Sequence, residues 1–66
     1  MSNNVIDSQI ISLVGEIINE INEKNIDIYN LCEKLYISTD QFIDLIKKPI
    51  SQLSIYFEIL DVIEAM

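Results

Sequence analysis

Few side chains in this sequence could carry chemistry. Cys32 is the single cysteine and there is no histidine, so a nucleophile would have no base and zinc would have no ligand set. A lone thiol among apolar helix positions reads as a reduced core residue. The eleven Asp and Glu are the other candidates, as paired acids or as a calcium site. They are spread along the chain without an Asp-x-Asp-x-Asp-Gly loop, the pattern of solvated helix surface. No catalytic residue, metal or cofactor is expected, and the chain does not read as an enzyme. What is left is recognition by a surface.

Length and charge narrow the partner. Sixty-six residues suffice for one domain, spanning 1–66, and exclude most enzymes. A chain this short hides only about 60% of its unfolded surface, so burial against a partner or a second copy would help it. Four lysines and no arginine against eleven acids give a formal net charge of −7. That field repels phosphate, from which most non-specific DNA affinity derives. Neutral or basic protein surfaces suit it better. Half the residues are apolar, with one glycine and one proline, so the chain should fold rather than stay disordered. No apolar run reaches the roughly 18 residues of a membrane helix, and the N-terminus lacks a secretory pattern, which points to the cytoplasm.

The elements follow from periodicity and punctuation. Ile6, Ile10, Leu13, Val14, Ile17, Ile18 and Ile21 recur at steps of three and four, which predicts an amphipathic helix from near Val5, capped by Asn4 with Asp7 in its first turn. Ile11 joins Val14 and Ile18 in a second apolar row, so one side of this helix faces either the domain or another surface. Oligomeric state stays open, a homodimer included. Asn25 suits a left-handed stop, and Asp27 an N-cap for a second helix carrying Ile28, Leu31, Cys32 and Leu35, ending near Tyr36. Ser38 with Gln41 forms a capping-box pattern opening a third helix over about Thr39 to Lys47. Lys47 and Lys48 suit its C-terminal end, and Pro49 stops it. Ser51 or Ser54 is expected to cap a fourth helix, with Leu53, Tyr56, Phe57, Leu60 and Ile63 as its buried stripe. The expected fold is all-α, a compact four-helix domain.

Residues Leu31 to Leu45 resemble the helix-turn-helix of the Cro and phage-repressor family. Leu31, Cys32, Leu35, Ile37, Phe42 and Leu45 occupy the spacing of its apolar positions, and the flanking helices extend the likeness over roughly residues 5 to 64. The turn position that is commonly glycine in the family holds Tyr36, making the motif a degenerate one. The resemblance implies a regulator of transcription and makes Thr39, Asp40, Ile43 and Asp44 the groove-facing positions. Two of these are acidic, which suits DNA poorly.

The same face reads better as a protein-docking patch. With Phe42 and Leu45 in the core, Ile43 and Ile46 are expected to point outward between Asp40 and Asp44, with Tyr36 and Gln41 at the rim. The plainer alternative is that a small rotation buries both isoleucines. The expected partner is a repressor with a basic DNA-binding face, and the resemblance extends to small phage anti-repressors that act in a genetic switch inside the host cell. Two further readings stay open. One is a direct DNA-binding repressor using Thr39 and Gln41 on bases and Lys47 and Lys48 on phosphates. The other is an acidic nucleic-acid mimic that inhibits a basic enzyme.

Overall fold

The computed structural model describes residues 8–66. The expected cap at Asn4 and the helix start near Val5 lie outside the described residues. Four helices follow in order: α1 (Ser8–Lys24), α2 (Ile28–Leu35), α3 (Thr39–Lys47) and α4 (Leu53–Ala65). The domain is all-α with four helices, as the periodicity predicts. Helix α4 is the hub, packing against both α1 and α2, while α3 packs against α2.

Local chemistry sets most of the helix ends. Asp27 accepts the Tyr29 N–H at 3.0 Å, capping α2. Ser38 Oγ accepts the Gln41 N–H at 3.1 Å and Gln41 Oε1 accepts the Ser38 N–H at 3.0 Å, so the expected capping box is formed. Both α1 and α2 stop in the same manner. Beyond α1, the Asn25 and Ile26 N–H groups donate to the carbonyls of Asn22 and Ile21, and beyond α2 those of Tyr36 and Ile37 donate to Glu33 and Cys32. Each stop is a Schellman motif around a left-handed residue, Asn25 at φ 55° and Tyr36 at φ 60°, and it satisfies the last carbonyls of the helix. Helix α2 therefore ends at Leu35, with Tyr36 as its left-handed cap.

Helix α4 departs from expectation in two ways. Its N-cap is Gln52, which makes no side-chain capping bond; neither Ser51 nor Ser54 takes that role. Its buried residues are Tyr56, Ile59 and Ile63, whereas Phe57 is 48% exposed. The helix has apolar residues on several sides, so periodicity alone could not choose between the stripe through Phe57 and that through Ile59.

The core joins Ile10, Leu13, Val14 and Ile17 of α1 with Leu31 and Cys32 of α2, Phe42 of α3, and Tyr56, Ile59 and Ile63 of α4. Tyr56 is fully buried and its hydroxyl is satisfied twice. It donates to the Leu45 carbonyl at 2.9 Å and accepts the Ile50 N–H at 3.0 Å. One phenol thus ties α4 to the end of α3 and to the connector after Pro49, and fixes where α3 sits. Lys24 completes the frame by donating to the Ile63 carbonyl at 3.4 Å, a cation at the negative end of α4.

Candidate functional site

The capping box and the Phe42 anchor set the rotation of α3. Phe42 is buried, and Leu45 and Ile46 pack beside it against the core. Residues one and four positions after Phe42 differ in fate, because a step of four keeps Ile46 near the buried side while a step of one turns Ile43 away. The structure therefore corrects the expectation for Ile46, which faces inward. Ile43 is 43% exposed and stays on the surface.

Four residues at i, i+3, i+4 and i+7 form the outward stripe of α3: Asp40, Ile43, Asp44 and Lys47, all exposed. Among the described residues the ion pair present is Lys24 with Glu20 at 3.8 Å, so the carboxylates of Asp40 and Asp44 have no ion-pair partner among them. Asp40 also sits in the first turn, where its charge favours the positive end of the helix. Thr39 lies half-buried and lines an open concavity of about 530 Å³ with Asp27, Tyr29, Asn30, Cys32, Glu33 and Ile37. Gln41 is exposed, but its carboxamide oxygen is committed to the capping box. Tyr36 precedes the helix with 94% of its surface exposed. Lys47 and Lys48 are exposed at the far end, and the Lys48 backbone N–H closes the helix on the Asp44 carbonyl at 2.7 Å.

A second, more apolar groove of about 440 Å³ borders the stripe, lined by Ile37, Gln41, Asp44, Leu45, Lys48, Ile50 and Ile55. Asp44 belongs to both surfaces. Ile50 and Ile55 escaped sequence reasoning, and Ile37 was legible only as an apolar position of the helix-turn-helix spacing, because the three come from two connectors and the start of α4. No single helical period links them.

Cys32 is buried, and burial pushes its thiol pKa up. The protonated thiol is the poor nucleophile expected of a core residue. Among the described residues no group of His, Cys, Asp and Glu is placed to hold a metal ion, and no helix is long and apolar enough to cross a membrane. Comparison with protein-family models, with curated proteins and with solved structures gave no match. The functional reading therefore rests on the surface of α3.

Proposed function

We propose that this chain is a non-enzymatic regulator of transcription, an anti-repressor of the phage or mobile-element type that works in the cytoplasm of its host. It binds the DNA-binding domain of a repressor through α3 and blocks or alters operator binding. The observation that carries this reading is the outward stripe of α3, where an exposed isoleucine stands between two aspartates that have no ion pair among the described residues. Ile43 supplies a desolvated centre, and Asp40 and Asp44 supply charge that matches a basic surface. Tyr36 and Gln41 form the rim, and Thr39 borders it. The same stripe argues against DNA as the direct ligand, since it carries two negative charges toward the phosphates and a single lysine at its far end.

The test is calorimetric titration of the chain with the DNA-binding domain of a phage repressor, together with a gel-shift assay on that repressor's operator DNA. We expect capture of the repressor, no shift by the chain alone at low salt, and at least tenfold weaker capture by Ile43→Lys with helical circular dichroism retained. Undiminished capture by Ile43→Lys, or tight and salt-sensitive DNA binding by the chain alone, would refute the proposal.

A further inference from the structure

Helix α1 carries a second seam apart from its core stripe. Ser8, Ile11, Gly15, Ile18 and Asn22 follow one another at steps of three and four, the a and d spacing of a coiled coil, and all five are exposed. Ile11 is 58% and Ile18 43% exposed, which leaves two large aliphatic side chains on the solvent side of a helix whose buried residues are Ile10, Leu13, Val14 and Ile17. The core residues Ile10, Val14 and Ile17, with the partly buried Ile21, run along a neighbouring stripe, and Ile11 and Ile18 lie outside the core cluster of the described residues.

Gly15 is the only glycine in the sequence, and its position is unexpected. Among the described residues two sites favour glycine by their left-handed backbone, and they hold Asn25 and Tyr36. The glycine instead sits in the middle of α1 without a positive φ, where it weakens a helix relative to alanine. Internal crowding does not require it. A Cβ added at Gly15 meets no atom within 4 Å, so the domain would accept a side chain there. A small residue between two exposed isoleucines is what a helix needs where another backbone comes close.

Charge identifies that other backbone. The seam and its flanking residues Ser12 and Asn19 carry no charge, in a chain with a net charge of −7. The acids of α1, Glu16, Glu20 and Glu23, lie on other sides of the helix. A basic partner would gain nothing from a surface without carboxylates. A second copy of this acidic chain, in contrast, can approach closely only where its own charges are absent. We propose that the chain forms a two-fold symmetric dimer in which α1 pairs with α1 of a second copy, crossing at Gly15 with Ile11 and Ile18 on either side. Ser8 and Asn22 lie at the ends of the seam, where their side chains can bond across the axis. The contact is one helix wide, well short of the ~1,600 Å² of a standard interface, so the dimer is weak and concentration-dependent. It leaves the stripe of α3 for a different ligand.

Sedimentation equilibrium of the full chain over about 1 μM to about 1 mM covers the relevant affinities. The weight-average mass should rise from the 7.6 kDa of the monomer toward twice that value. Ile18→Lys should weaken association more than tenfold by placing like charges at the seam. Gly15→Leu should do the same while keeping its helical circular dichroism, since the domain itself has room for the side chain. Ile43→Lys, on α3, should associate like the parent. A parent that stays monomeric throughout would overturn the dimer, and so would a Gly15→Leu variant that folds and associates normally. Loss of association in Ile43→Lys alone would move the contact to α3 and equally overturn the inference.

Discussion

Tyr36 shows how a single residue can be poor for the fold and good for a surface. It holds a left-handed backbone at φ 60°, a conformation that costs an L-residue roughly 1–2 kcal/mol and that glycine adopts freely. Its side chain returns little of that cost, being 94% exposed. Tyr36→Gly should therefore stabilise the isolated domain by about 0.5–1 kcal/mol, the gain in backbone strain being partly offset by a more flexible unfolded chain. If the ring anchors the rim of the docking face, the same variant should capture the repressor more weakly. Denaturant titration and calorimetry on one preparation check both signs. A variant less stable than the parent would show that the exposed ring contributes to the fold after all. Cys32 is the opposite case. Its type and spacing mark a core thiol, and burial raises its pKa, so the folded state holds its proton more tightly than the unfolded state does. The contribution of this group to stability therefore falls once pH rises past the ordinary thiol range.

At the scale of elements, what was legible in the sequence was what local chemistry decides. The bounds of α3 could be read from Ser38, Gln41 and Pro49 because a capping box and a proline act within a few residues. The end of α1 at Asn25 could be read for the same reason. The stripe of α4 could be read only in part: Tyr56 and Ile63 are buried as expected and Leu53 and Leu60 pack against the core, but Ile59 is buried where Phe57 was expected, because apolar residues surround the helix and its tertiary neighbours select between them. The rotation of α3 was half legible: Phe42 and Ile43 were placed correctly, while Ile46 shares the buried side with Phe42. The groove beside α3 was hidden because its isoleucines meet only after the chain turns twice. Among the starts of α2, α3 and α4 the weak one is that of α4, where Gln52 offers no side-chain bond to the first N–H groups. Gln52→Ser keeps the charge and supplies a hydroxyl at the N-cap, for an expected gain of about 1 kcal/mol. In a domain of this size that corresponds to a rise of roughly 4–8 °C in Tm, measured by thermal circular dichroism. No rise would mean that the connector from Pro49 to Gln52 cannot take up the capping geometry.

At the scale of the whole molecule, charge acts on folding and on recognition with opposite signs. The net charge of −7 on 66 residues loads the compact state with self-repulsion. Among the described residues only Lys24 with Glu20 offsets it through an ion pair, a 3.8 Å contact between partly exposed groups that contributes little. Raising ionic strength shortens the screening length from about 10 Å at 0.1 M to about 3 Å at 1 M, which relieves that repulsion and should stabilise the isolated chain. Added salt should equally favour the α1 dimer, where two copies of the same sign must meet. Capture of a basic repressor domain through Asp40 and Asp44 should respond in the other direction, because screening removes the attraction that guides the encounter. Stopped-flow association should slow steeply with salt while dissociation, governed by the contact around Ile43, changes little. Reversing both aspartates to lysine should flatten that dependence more than reversing Glu58 and Glu64 on α4, which change the net charge by the same amount. Equal flattening by the two double variants would show that overall charge, as in a nucleic-acid mimic, drives capture. A larger effect of the α3 pair ties recognition to the stripe where an acidic chain places an exposed isoleucine.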